Sequence, residues 1–483
     1  MTTTSDPTCS PPGDHGPRGT TGWRGLVLRL HFYAGLLVGP FVLVATATGV
    51  LYVLTPQLES WIYADQLRVP VTAQQRSLAD QVHAAVATEP GGTLDAVRPA
   101  PEPGATTRVL FSDPGLDESE RRTVFVDPGT GQVTGSLVSY GTSGVLPLRM
   151  TIDQLHRNLL LGEPGRLYSE LAASWLWVVA LGGLALWIAR LRTRRAAGRA
   201  GLRDLFRPEP GATGRRRTLT RHGALGTWLL VGMLFLSATG LTWSTYAGAT
   251  ISELRASLGW STPALDSGGG GGHGDHSGGA PAQAGSGGAA VGGVDSVLAI
   301  ARAAGIDARS VEIALPAEPG AAWTVTEIQR SWPTQVDAVA IDAGSGAVVD
   351  QVRFADYPVM AKLARWGIDA HMGVLFGWVN QLLLVAFGLG LITTIVLGYR
   401  MWWRRRPTRG RGGRAVPRGQ FRRASQPVGF VAVLAAVVVG WFAPLFGISL
   451  LAFLAVDGLL GRRARSRTAG GDPDVEEGEL LDA

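Results

Sequence analysis

Four of the eight histidines recur at matched places in the sequence, and their surroundings recur with them. His31 is followed by Gly35 and then by Gly49, which closes "ATATG"; His222 is followed at the same spacing by Gly226 and by Gly240, which closes "LSATG". Farther along, His156, Gly162, Gly183 and Trp187 match His371, Gly377, Gly398 and Trp402, each pair 215 residues apart. His15, His83, His273 and His276 have no such counterparts. Each of the recurring four begins or precedes a long apolar run, and an ionisable side chain at membrane depth points to function. Neutral imidazole is a metal ligand, and a pair of imidazoles is an axial set for haem iron.

Haem is largely apolar and suits a helical bundle lined by leucine, valine and phenylalanine. His31 and His222 begin outward-running spans, near one membrane face, whereas His156 and His371 precede return spans, near the other. A pseudo-two-fold axis along the membrane normal would bring each pair together, one pair per leaflet. Arg29, Arg157 and Arg221 flank three of these histidines and would neutralise haem propionates. Gly35 and Gly226 lie one helical turn beyond His31 and His222, where small residues leave room for a flat macrocycle or let helices pack closely. Zinc fits less well, because no carboxylate or cysteine stands at ligand spacing beside any of the four. The "HGDH" of a Gly-rich segment, with His273, Asp275 and His276, reads as a solvated loop.

These positions require helices that cross a bilayer, each about 20 residues long. Apolar stretches of that length run over about 26–54, 171–189, 223–246 and 374–403, and a further apolar region, 428–460, holds Pro444 at its middle. The chain of 483 residues is 46% hydrophobic and only 17% charged, the balance of a membrane protein. Lysine occurs once, at Lys362, and arginine blocks such as "RLRTRR" and "WWRRRPTRGRGGR" adjoin the apolar runs. That placement follows the positive-inside rule and, with no aromatic-basic module beside it, argues against nucleic-acid binding. The polar N-terminal tail has no apolar core, so the first run reads as an uncleaved span with both termini cytoplasmic. Cys9 is the only cysteine, so an intrachain disulfide is excluded.

The fold class expected is an integral membrane α-helical bundle of four main spans plus a C-terminal short helical hairpin, internally duplicated, with two extracytoplasmic α+β domains. The boundaries expected are a tail at 1–22, span 1 at 23–55, an outside domain at 56–150, and an interfacial segment with span 2 at 151–192. A basic loop follows at 193–220, then span 3 at 221–247, and a second outside domain at 248–365 with a flexible linker at 267–293. An interfacial segment with span 4 occupies 366–403, a basic loop 404–426, the hairpin 427–460 and a tail 461–483. "RPAPEPG" and "VFVDPGTGQV" of the first outside domain correspond to "IALPAEPG" and "VAIDAGSGAV" of the second, so Asp127 and Asp342 open matching hairpin turns. "LADQVHAAVA" and "GVDSVLAIARAAG" predict one helix before each set of strands. Trp187, Trp402 and Trp403 read as interfacial anchors.

"LRLHFYAGLLVGPFVLVATATGVLY", its partner "LTRHGALGTWLLVGMLFLSATG" and the two Asp-x-Gly hairpins resemble the PepSY-associated transmembrane family, over about residues 22 to 460. Some members of that family are similar to ferric-iron or siderophore reductases with two b-type haems on membrane histidines. The resemblance implies His31, His156, His222 and His371 as axial, haem-iron ligands. It implies electrons crossing from the inner to the outer pair to reduce a ferric chelate or siderophore, in support of iron acquisition. No dinucleotide or flavin fingerprint is present, so the donor would be a quinol or a separate cytoplasmic reductase. The reading from a different class is a non-redox membrane-anchored PepSY protein that binds a peptide, a chelate or a protease. A transporter is a third reading, against which the spans carry few acids, Asp457 being the main exception. Hydrolytic motifs are absent.

Overall fold

The computed structural model describes residues 22–117, 119–198, 201–267, 293–316, 318, 320–342, 344–404 and 426–469. In chain order the helices are α1 (Gly22–Val53), α2 (Thr55–Ile62), α3 (Ala64–Leu67), α4 (Leu78–Thr88), α5 (Pro147–Asn158) and α6 (Gly162–Ala196). They continue as α7 (Gly214–Trp228), α8 (Leu230–Thr242), α9 (Tyr246–Ser257), α10 (Val294–Ala303), α11 (Val359–His371) and α12 (Gly377–Trp403). Two further helices follow at Gln426–Phe442 and Pro444–Ala469. The strands are β1 (Thr93–Arg98), β2 (Thr107–Ser112), β3 (Glu120–Val126), β4 (Val133–Tyr140), β5 (Val311–Ala314), β6 (Trp323–Glu327), β7 (Ala338–Ile341) and β8 (Val348–Val352).

Among the described residues three helices, from Arg24–Val53, Gly162–Ala196 and Gly377–Trp403, are long and apolar enough to cross a membrane. The third expected span is not one straight helix: α7 and α8 meet at a 59° bend, and together they pass as a fourth crossing. Leu229 lies between two anchors that hold the segments at different angles. Trp228 donates from Nε1 to the Phe206 carbonyl at 3.0 Å, while Gly232 lies against the Phe387 ring of α12. A bend at a glycine-assisted contact needs no proline. The C-terminal apolar region is two helices, broken at Ala443–Pro444, because Pro444 cannot donate the next helical hydrogen bond. Gly440 and Gly447 let the two pack backbone to backbone: a Cβ at Gly440 would stand 2.9 Å from the Gly447 Cα. The second helix continues past the expected boundary at 460 to Ala469.

The two lobes expected as separate domains share one antiparallel sheet. Its order is β4-β3-β2-β1-β5-β6-β7-β8. The lobes join where β1 pairs with β5, at Ala96 with Ala314 and Val97 with Ile313. Separate domains would have left β1 and β5 as open edges, and pairing them removes that liability. The helices α4 and α10 cover the same face, so Val82, Val109, Phe111 and Val124 belong to one core with Val297, Ile313, Trp323 and Val339. Each such apolar side chain, fully buried, contributes about 1.5–3 kcal/mol. The helices also meet end on: the Asp295 carboxylate accepts from the backbone N–H of Leu78 at 2.8 Å and of Ala79 at 2.9 Å. A carboxylate is well placed at a helix N-terminus.

The two expected hairpin turns are built alike. Asp127 N–H donates to the Gln132 carbonyl and Gly131 N–H to the Asp127 carbonyl, each at 2.8 Å. Asp342 N–H donates to the Ala347 carbonyl at 2.9 Å and Gly346 N–H to the Asp342 carbonyl at 2.8 Å. Gly131 (φ 74°) and Gly346 (φ 69°) supply the left-handed residue that closes each turn. The linker at 268–292, with His273, Asp275 and His276, lies outside the described residues.

Candidate functional site

The helices bring the four recurring histidines into two pairs. His31 of α1 and His222 of α7 have ring centroids 6.3 Å apart with the planes at 72°. His156, near the end of α5, and His371, at the end of α11, are also 6.3 Å apart, at 88°. The fourteen residues from His31 to Ala45, which touches His156, rise about 21 Å along α1, so the pairs occupy different depths. An apolar layer of Leu229, Met233, Leu391, Ala180, Phe387 and Leu176 fills the bundle as a cluster of its own.

In every ring Nδ1 is engaged. His31 Nδ1 meets the Val179 carbonyl at 2.8 Å, and His222 Nδ1 meets the Thr394 carbonyl at 2.9 Å. His156 Nδ1 meets the Ala45 carbonyl at 2.8 Å and the Thr48 hydroxyl at 3.3 Å. A carbonyl only accepts, so Nδ1 carries the proton in these three rings. His371 Nδ1 meets the Thr239 hydroxyl at 2.6 Å. That hydroxyl donates to the Phe235 carbonyl at 2.9 Å, so it too accepts from Nδ1–H. All four rings are therefore the tautomer whose lone pair is on Nε2, and Nε2 has no hydrogen-bond partner among the described residues. A metal-ligating histidine is held in this way, its other nitrogen donating to a carbonyl or hydroxyl.

Glycines seat the rings. A Cβ on Gly183 would lie 2.8 Å from His31 Cε1, one on Gly49 3.4 Å from His156 Cε1, and one on Gly398 3.6 Å from His222 Cε1. Gly35 and Gly226 differ from these and from each other. A Cβ at Gly35 would touch Val179 at 4.0 Å, whereas Gly226 faces open space. Trp243 stands edge-on to His371 at 5.3 Å.

The three flanking arginines are distributed unevenly. Arg29, 3% exposed, forms an ion pair with Asp457 of the C-terminal helix at 2.7 Å. Arg157 donates to the Tyr140 hydroxyl at 2.8 Å and lies 3.7 Å from Asp153. Arg221 is exposed. Two acids buried among the spanning helices have structural work: Asp457 holds Arg29, and Glu170, 1% exposed, accepts from the N–H groups of Tyr246 and Ala247 at 2.9 Å each. Neither is free for the ion coupling that a transporter would need. Trp187 is not a lipid-facing anchor. It is 5% exposed, lies under Gly223 and donates to the Leu205 carbonyl at 3.1 Å, so it fastens the basic loop. Trp403, 64% exposed, does face outward.

Thr48, Thr239, Val179 and Thr394 were not singled out by the sequence alone. The signal was present: Thr48 and Thr239 stand just before the paired glycines of "ATATG" and "LSATG", and Val179 and Thr394 share the 215-residue offset of His156 and His371. Among the described residues no group of three or more His, Cys, Asp or Glu is placed to hold a metal ion. The imidazoles come as pairs.

No curated protein matches the chain. Residues 28–405 match the family described as the PepSY-associated TM region, a span that contains all four histidines and the whole sheet. The chain is a multi-pass membrane protein of the PepSY-associated TM family.

Proposed function

We propose that this protein is a transmembrane electron carrier that holds two b-type haems, one between His31 and His222 and one between His156 and His371, and reduces a ferric chelate on the sheet side. The observation that carries the reading is the 6.3 Å centroid separation in both pairs. With a metal–nitrogen bond of about 2.0 Å and about 1.1 Å from nitrogen to ring centre, two imidazoles that shared one metal would have their centroids about 6.2 Å apart. The free Nε2 atoms and the Nδ1 protons fixed by Val179, Thr394, Ala45 and Thr239 suit the same donor set. Bound haem would supply one-electron carriers at two depths.

The chain's own residues then have defined tasks. The carbonyls and Thr239 orient the imidazoles, Gly183, Gly49 and Gly398 admit the rings, and the apolar layer excludes water between the levels. The same reading treats the chain as an internal duplication with four main crossings. The mirrored strand order and the matched histidine contacts support it. In this reading the termini, and the donor, a quinol or a separate reductase, lie on the cytoplasmic side of an inner membrane, which the arginine blocks beside the spans support. Iron leaves oxygen-donor chelators more readily once reduced, which suits iron acquisition. The test mixes dithionite-reduced, desalted protein with ferric citrate or a ferric hydroxamate under anaerobic conditions. Rapid reoxidation with ferrous ion released is expected, and a protein that stays reduced would overturn the ferric-chelate assignment.

A further inference from the structure

The match between the two halves breaks at one place. In the first half α2 packs on α5. The Glu59 carboxylate accepts from the Leu146 N–H at 3.3 Å, and the Tyr63 hydroxyl accepts from the Leu148 N–H at 3.1 Å. The corresponding helix of the second half is α9, which begins 191 residues after α2, the offset that also separates His31 and His222. It packs on α8 and on the two C-terminal helices. Glu170 of α6 holds it there by accepting from the Tyr246 and Ala247 N–H groups, and no acid does the same for α2, because Val385 stands 215 residues beyond Glu170.

The consequence falls on α11. Met360 and Leu363 match Val145 and Leu148 of the first half at the 215-residue offset. Val145 is 7% exposed, whereas Met360 and Leu363 are 40% and 50% exposed, with Val359 beside them at 69%. A contiguous apolar face of this kind marks an interaction surface.

That face leads onto a membrane-crossing helix. Trp332, in the loop between β6 and β7, donates its N–H to the Leu375 carbonyl at 2.7 Å. Its ring lies 5.5 Å from Trp366 of α11 and 6.2 Å from Phe376. Phe376 immediately precedes α12, where Trp378, Leu382 and Leu383 are each more than half exposed. Lys362 lies between Met360 and Leu363, and its ammonium turns back toward the start of α11 to donate to the Ala355 carbonyl at 2.6 Å. A lysine at a membrane face lays its stem on apolar surface and carries its charge away from the hydrocarbon. Tryptophan rings gathered at the mouth of a span belong to the interface between bilayer and water.

We propose that the second lobe is seated in the sheet-side leaflet of the bilayer through Trp332, Met360, Leu363 and Phe376, so that lipid covers the face of α11 whose counterpart on α5 is covered by protein. The occupant is lipid because the patch joins the exposed apolar side of α12, and its rings and its one cation are disposed as at a membrane boundary. The sheet is thereby held to the bundle by protein under one lobe and to the bilayer under the other. The proposal is independent of the haem reading and needs only that α12 crosses the membrane.

The test uses full-length protein in phosphatidylcholine vesicles, with Cys9→Ser removing the native thiol and a nitroxide attached at Met360→Cys or Leu363→Cys. Leu383→Cys, on α12, and Val86→Cys, on α4, serve as the lipid and water references. Collisional relaxation by oxygen, which partitions into lipid, is compared with relaxation by a water-soluble nickel chelate. The oxygen-to-nickel ratio at 360 and 363 is expected to match that at 383 and to exceed that at 86 several-fold. A ratio equal to that at 86 would overturn the proposal. Shielding from both reagents would overturn it too, since a second copy of the chain or another protein would then cover the face. Unmodified protein gives an independent reading with a phosphatidylcholine that carries a diazirine near the top of its acyl chain. Adducts are expected on the tryptic peptide 354–362 as well as on α12, and adducts on α12 alone would contradict the proposal.

Discussion

At the scale of single residues, the account rests on how each imidazole is held. Gly183 sits against His31 so closely that an added Cβ would be 2.8 Å from Cε1, whereas Gly226 faces open space. Gly183→Val is therefore expected to displace His31 and remove about half of the bound haem, and Gly226→Ala to remove none, as read by haem per protein. Thr239→Val deletes the acceptor of His371 Nδ1–H and is expected to weaken the outer site about 10–100-fold. Ring planes at 72° and 88° also predict strongly anisotropic low-spin ferric signals in paramagnetic resonance spectra, which near-parallel ligands would not give. The histidines were legible because recurrence sorted them from the other four. Their hydrogen-bonding carbonyls were not, since a backbone acceptor leaves no mark in residue type. Arg29 was misleading for a related reason: its partner Asp457 is distant in sequence, so a cation two residues from His31 read as a propionate partner.

At the scale of elements, the C-terminal helix at Pro444–Ala469 is pinned to α1 by a buried charge pair, with side chains 4% and 1% exposed. Removing one member leaves the other uncompensated, so Asp457→Ala is expected to cost about 3–5 kcal/mol in detergent unfolding. Arg29→Leu combined with Asp457→Leu should recover much of that loss. The hairpin turns offer a pH test. The Ser345 hydroxyl and N–H hold the Asp342 carboxyl below its usual range. A depressed carboxyl contributes stability that is present above the ordinary range and is lost as pH falls through the lowered value. Asp342→Ala should thus be less stable than wild type at neutral pH, and the gap should close in acid. Turns, helices and strands were legible from alternation and Asp-x-Gly spacing. The bend at Leu229 was not, because it comes from anchors on two other elements, Phe206 and Phe387, rather than from a local breaker.

At the scale of the whole molecule, one sheet ties both lobes together above the bundle, where the sequence suggested two domains. β1 meets β5 at two residue pairs, extended by the Leu315 N–H to the Asp95 carbonyl at 3.0 Å and reinforced by Arg98 with Glu312. Periodicity within a strand shows which face is buried but not which edge it meets, so the junction was illegible. Glu312→Ala should leave Arg98 without its carboxylate and lower stability by about 2–3 kcal/mol, with both lobes loosening together in hydrogen exchange. A sheet that bridges the lobes also fixes α5 and α11, and with them His156 and His371, in one frame. The most direct measurement is the reduced-minus-oxidised absorption spectrum of the detergent-purified protein, with haem quantified, on wild type and on the four histidine-to-alanine variants. Two haems per chain are expected, with His31→Ala and His222→Ala losing one and His156→Ala and His371→Ala losing the other. A colourless protein from haem-sufficient cells, or full haem content in all four variants, would contradict the account.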